Sequence, residues 1–140
     1  MTITRRYRFS ASHRLHNPAL SEEVNRAVYG KCNNRLGHGH DYVLEVSVCG
    51  PVDEETGRVL DPACLDALVR ERVLAAFDHR NLNAETPEFA NRPSTSENLL
   101  RLIWERLRKD WEQNFPPDRR LVCVRLRETR RNSFEMMEEE

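Results

Sequence analysis

Two apolar alternations near the start of the chain and one near its end bracket two helical repeats, and that order limits the fold more than any other feature. Tyr7, Phe9 and Ala11 alternate with polar residues, so residues 3–11 read as a strand. Leu44, Val46 and Val48 alternate in a second strand that Gly50-Pro51 ends. Asp61 as cap and Pro62 at the first helical position open a helix whose apolar face runs through Leu65, Leu68, Val69, Val73 and Ala76 to Phe77. Ser94-x-x-Glu97 has the form of a capping box before a second helix carrying Leu99, Leu100, Ile103, Leu107 and Trp111. Val122, Val124 and Leu126 alternate in a third strand ending near Glu128, and residues 133–137 suit a fourth. Residues 14–39 and 78–93 read as polar loops. The strand pairs are adjacent in sequence, which predicts an α+β fold: an antiparallel sheet with both helices on one face. Two open edges would then need covering or pairing, so an oligomer is expected.

With 140 residues the chain is long enough for one core, and residues 1–140 read as a single domain. A formal net charge of −1 argues against a general nucleic-acid binder. All the basic residues are arginines except Lys31 and Lys109, and arginine clusters can hold a phosphorylated small molecule. No apolar run is long enough to cross a membrane, and the first residues enter a strand pattern without an apolar signal core, so a cytoplasmic protein is expected. None of the four cysteines is spaced as Cys-x-x-Cys. Cys49, Cys64 and Cys123 fall in strand-like or helix-like runs and read as small buried hydrophobes. Cys32 instead lies in a polar, glycine-flanked loop, Gly30 to Gly37.

Three of the five histidines suggest a metal site. His38-Gly39-His40 places two imidazoles on one face of an extended segment. If the first strand pairs with the second, His13 at its end reaches the same spot. Three histidines with an open fourth position are the pattern of a catalytic zinc ion, although imidazole also suits copper, iron or nickel. His16 offers a rival pairing, His13-x-x-His16.

The same residues carry a resemblance. Phe9-Ser10-Ala11-Ser12-His13-Arg14-Leu15, then Gly30-Lys31-Cys32-Asn33-Asn34, then Gly37-His38-Gly39-His40-Asp41-Tyr42 resemble the hallmark blocks of the 6-pyruvoyl-tetrahydropterin synthase family. Asp78-His79-Arg80-Asn81-Leu82, Ser94-Thr95-Ser96-Glu97-Asn98 and Glu128-Thr129 resemble the remaining blocks in the right order, while residues 130–134 match poorly. The resemblance implies the tunnelling fold (T-fold): a four-stranded antiparallel sheet with two helices on one face, three subunits closing a barrel and two trimers stacking into a homohexamer with active sites between subunits. It implies Zn2+ on His13, His38 and His40. It implies Cys32 as the catalytic thiol, Asp78 and His79 as a catalytic pair, Glu128 as the anchor of the pterin ring, and Thr95 and Ser96 as further ring contacts.

The implied reaction turns 7,8-dihydroneopterin triphosphate into 6-pyruvoyl-tetrahydropterin and inorganic triphosphate. Five residues separate Cys32 from His38, which resembles the pyruvoyl branch. The 6-carboxy-tetrahydropterin synthases of queuosine biosynthesis, the alternative, usually have a shorter gap. In either branch Cys32 must ionise to take a proton, with Lys31, Arg35 and the cation expected to favour the thiolate.

Overall fold

The computed structural model describes residues 1–139. Its strands are β1 (Thr2–His13), β2 (His38–Cys49), β3 (Arg80–Asn81), β4 (Arg120–Arg127) and β5 (Ser133–Met137). Its helices are α1 (Glu22–Tyr29), α2 (Pro62–Val69), α3 (Ala75–Phe77), α4 (Leu82–Glu85), α5 (Ser96–Lys109) and α6 (Trp111–Asn114).

The sheet runs β3-β1-β2-β4-β5. β1, β2, β4 and β5 are antiparallel neighbours, as the adjacent strand pairs predict. The four-stranded expectation is corrected by β3, a two-residue parallel strand beside Ala11 and Ser12. Such a short parallel pairing has no alternation to betray it in sequence. It arises because the chain leaves α3 and must pass the end of β1.

One face of the sheet is buried. Phe9 and Ala11 of β1, Tyr42, Leu44, Val46 and Val48 of β2, and Val124 and Leu126 of β4 pack against Leu65, Val69, Val73 and Phe77 and against Leu99, Ile103 and Leu107 of α5. Each fully buried aliphatic or aromatic side chain contributes on the order of 1.5–3 kcal/mol through water removal. The other face is polar. Arg6, Arg8, Arg125 and Arg127 are exposed there, Arg6 pairs with Glu45 at 3.1 Å, and the Thr4 and Ser47 hydroxyls meet at 2.7 Å.

The phase of β4 is not the one its alternation suggests. The ladder jumps from Ser47 opposite Cys123 to Val48 opposite Leu121, so Val122 is the extra residue of a bulge. Leu121 turns into the core and Val122 is only half-buried. Cys64 is exposed rather than buried, and Cys49 and Cys123 are half-buried.

Further differences concern the helices. Residues 14–39 hold α1, capped by the Ser21 side chain accepting from the Val24 amide. It escapes periodicity because its one buried residue is Asn25, while Val24 and Val28 face solvent. The Asn25 amide group donates to the carbonyls of Asn17, Leu20 and Ser21 and fastens the helix without an apolar face. At α5 the cap is Thr95, whose hydroxyl accepts from the Asn98 amide, not Ser94. Within the α2–α3 segment, residues 70–74 widen into a π turn between Pro62–Val69 and Ala75–Phe77.

Candidate active site

The register of β1 and β2 builds the histidine cluster. His13 stands opposite His38 and Ala11 opposite His40, so all three imidazoles lie on the core face, just beyond the last apolar rungs. Gly37 makes this approach possible. Its φ is +72°, and a Cβ there would lie 3.0 Å from the His13 carbonyl oxygen. The three rings meet edge to face with centroids 4.6, 4.9 and 5.1 Å apart.

One nitrogen of each ring lies within 4.8 Å of the others. Zinc binds imidazole nitrogen at about 2.0–2.1 Å, so nitrogens sharing one ion stand no more than about 4 Å apart, close to the spacing found here. His13 is fully buried, and its Nδ1 lies 2.7 Å from the Ser94 carbonyl oxygen. The carbonyl can only accept, so Nδ1 carries the proton and Nε2 presents its lone pair. That Nε2 is buried with no partner, as is His38 Nδ1. Burial, as the largest cause, holds both His13 and His40 below the ordinary imidazole value, which favours the neutral form a metal needs. The donor set therefore fits a divalent ion. His16 is not part of the cluster: its Nδ1 accepts from the Asn33 side-chain amide at 3.1 Å.

Cys32 sits in a 3₁₀ turn, Gly30–Asn33, directly after α1. The Leu15 amide donates to its carbonyl at 2.7 Å, and the buried Asn33 side chain donates to the Leu15 carbonyl at 2.8 Å. These bonds tie the loop to the end of β1 and bring Cys32 Sγ to 3.6 Å from His38 Nε2. Burial first, then the Glu128 charge, push the thiol above its ordinary value. A cation on the histidines acts in the opposite direction. Cys32, His38 and His40 form the inner wall of a cavity of about 900 Å³.

Glu128 follows β4 in the phase of the core face, and its Oε1 lies 3.3 Å from His40 Nε2. Ser96 is buried with an unpartnered hydroxyl, whereas the Thr95 hydroxyl is committed to its helix cap. Tyr42 belongs to the same region and has no assigned role in the sequence reading. Its ring centroid is 5.6 Å from that of His40, its hydroxyl is buried without a partner, and burial followed by the Glu128 charge keeps it protonated. Its position two residues after His40 in the same strand phase is the signal that marks it.

Asp78 and His79 lie elsewhere. Asp78 Oδ1 accepts from the Ser10 amide at 3.0 Å and stands 3.0 Å from His79 Nδ1. The His79 amide donates to the Ser10 carbonyl at 2.6 Å, with the residue at φ 57°, the one positive value outside glycine among the described residues. This backbone is strained and held by two bonds to β1. The His79 side chain is 82% exposed and borders a second cavity of about 540 Å³ with Ser10, Ser12, Asp41 and Asn81. Cys32 does not line that cavity. One chain therefore gathers His13, His38, His40, Cys32 and Glu128, while His79 borders a second cavity that shares His40 with the first but not Cys32.

The 6-pyruvoyl tetrahydropterin synthase family model matches residues 2–139. The 6-pyruvoyl tetrahydrobiopterin synthase of Drosophila melanogaster is 48% identical over 106 residues, 76% of this chain and 63% of that protein. Its counterpart in Poecilia reticulata is 43% identical over 130 residues, 93% of this chain and 85% of that protein. The Caenorhabditis elegans 6-pyruvoyl tetrahydropterin synthase structure superposes with a TM-score of 0.88 at 39% identity, covering 99% of this chain and 96% of that one. No helix among the described residues is long and apolar enough to cross a membrane. A family match over nearly the whole chain, relatives above two-fifths identity and a shared fold agree: the chain belongs to the 6-pyruvoyl tetrahydropterin synthase family of enzymes.

Proposed function

We propose that the chain converts 7,8-dihydroneopterin triphosphate to 6-pyruvoyl-tetrahydropterin with release of inorganic triphosphate, using a zinc ion on His13, His38 and His40. The observation that carries this reading is the position of Cys32 Sγ, 3.6 Å from His38 Nε2 in a three-histidine cluster where the buried His13 Nε2 has no protein partner. A divalent ion bound there supplies Lewis-acid polarisation of the substrate's side-chain oxygens.

The chain's own residues do the rest. Cys32, as thiolate, takes a carbon-bound proton from the substrate side chain. His79, oriented by Asp78, handles the second proton. Glu128 accepts hydrogen bonds from the amino and ring N–H groups of the pterin, and the Ser96 hydroxyl, free of protein partners, adds a further ring contact. Thr95 contributes at the ring edge while capping α5. The side chain is oxidised as the ring is reduced, so no external oxidant is needed.

The exposed Asp78–His79 pair supports a site completed by a second copy, in a cytoplasmic homohexamer of two stacked trimers. The long unpaired outer edge of β1 and the outer edge of β5 suit strand pairing between copies. The test is incubation of purified protein with dihydroneopterin triphosphate and identification of the product. A pyruvoyl product supports the reading; a carboxy product, or none, overturns it.

A further inference from the structure

The cavity in front of Cys32 is basic in a chain whose formal net charge is −1. Arg14, Arg26, Lys31 and Arg35 line it, against one carboxylate, Glu22. Resting on the function proposed above, we infer that these four cations seat the triphosphate end of the substrate, and that Glu22 weakens this seat by holding Arg35 while it is empty.

The chemistry along the cavity runs in one direction. Its inner wall carries His38, His40 and Cys32, with Glu128 behind His40. A carboxylate there repels phosphate, so an anionic tail is driven the other way, toward the cations. Arg26 is in the last turn of α1, and the positive φ of Gly30, 52°, turns the chain into the Gly30–Asn33 turn that carries the exposed Lys31. Arg14 Nε donates to the Asn33 carbonyl at 3.2 Å, which fixes its guanidinium beside the Cys32 turn. Among the described residues no carboxylate lies within ion-pair distance of Arg14, Arg26 or Lys31. Arg35 differs, pairing with Glu22 at 3.3 Å with side chains 80% and 74% exposed. A pair so exposed is weak, and a triphosphate bearing several negative charges displaces it. The carboxylate then remains beside the anion as a repulsive charge, which lowers affinity and eases release of the triphosphate product.

The test is calorimetric titration of inorganic triphosphate into the metal-loaded protein, with metal content measured before and after. Arg26→Ala with Lys31→Ala is expected to weaken binding about a hundredfold, roughly tenfold per lost charge-assisted contact. Glu22→Gln is expected to tighten it several-fold, and both effects are expected to shrink as salt is raised. Unchanged affinity in the double variant, or weaker binding in Glu22→Gln, overturns the inference. Unphosphorylated dihydroneopterin is the second probe. Equal binding to wild type and double variant supports a phosphate seat, whereas a parallel loss shows a distorted loop and overturns it. Charge-dependent triphosphate binding in a protein that makes no pyruvoyl product supports the seat while sinking the reaction proposed above.

Discussion

The Nδ1 atom of His13, at the end of β1, donates to the backbone carbonyl of Ser94, one residue before the cap of α5. The sheet thus supplies the ligand and the entry to a helix orients it, 81 residues later in the chain. Replacing a metal ligand removes the ion more surely than it unfolds the protein. His13→Ala or His38→Ala is expected to cut bound metal at least tenfold and abolish turnover. Metal content per chain by mass spectrometry checks this, and retention of a full complement would reject the ligand set.

Cys32 is near the histidines without being needed to hold the ion. Cys32→Ala is expected to keep the metal while lowering kcat by about 10²–10⁴, the usual contribution of a positioned proton-transfer group. The informative comparison is metal content against rate in the same sample. Activity close to wild type would remove Cys32 from the chemistry.

His79 and Cys32 border different cavities of the same chain. Cys32→Ala and His79→Gln are therefore each expected to be inactive alone. Unfolded together and refolded, they are expected to regain up to about a quarter of wild-type activity, because a site pairing two different copies draws both intact residues that often by chance. No recovery from mixtures shown to be mixed oligomers would place both residues on one chain's site.

Far from the site, Arg5 donates two hydrogen bonds to Asp66 at 2.9 and 2.8 Å, and the Tyr7 hydroxyl donates a third at 2.7 Å. Arg5, as the largest cause, holds the Asp66 carboxyl below the usual carboxylate range. A depressed folded value means the stabilisation is complete above the unfolded value of about 3.9 and is lost as pH falls through the folded value. Asp66→Asn is expected to lower the melting temperature at neutral pH and to flatten the acid side of the stability profile. Melting curves between about pH 2 and 7 measure both, and an unchanged acid slope would exclude Asp66 as a contributor.

Leu44 is fully buried in the middle of the central strand. Leu44→Ala is expected to cost about 2–5 kcal/mol through lost burial and a residual cavity. Chemical denaturation gives the value, and a loss below about 1 kcal/mol would show that the core closes over the gap.

Much of the architecture was legible because it rests on local periodicity. The alternation of Leu44, Val46 and Val48 and the helical spacing of Leu99, Ile103 and Leu107 are written residue by residue, and burial follows from them. The His-x-His face of β2 is equally local, since alternate residues of a strand share a side. What lacked such a signal was missed. α1 is fastened by the hydrogen bonds of Asn25 rather than by an apolar face, β3 is two residues long, and the bulge at Val122 shifts the phase of β4 without altering its pattern.

The sequence by itself determined the long strands and the two apolar-faced helices, the face on which His38 and His40 stand, and the family to which the chain belongs. Tertiary structure alone decided the pairings between distant residues: His13 with the Ser94 carbonyl, Cys32 Sγ with His38, Glu128 with His40, and the placing of Cys32 and His79 on different cavities. The physical reason is range. Periodicity and capping are interactions over a few residues and leave a trace in their order, whereas a strand register or a loop tied down by Asn33 depends on surfaces that meet only once the chain is folded.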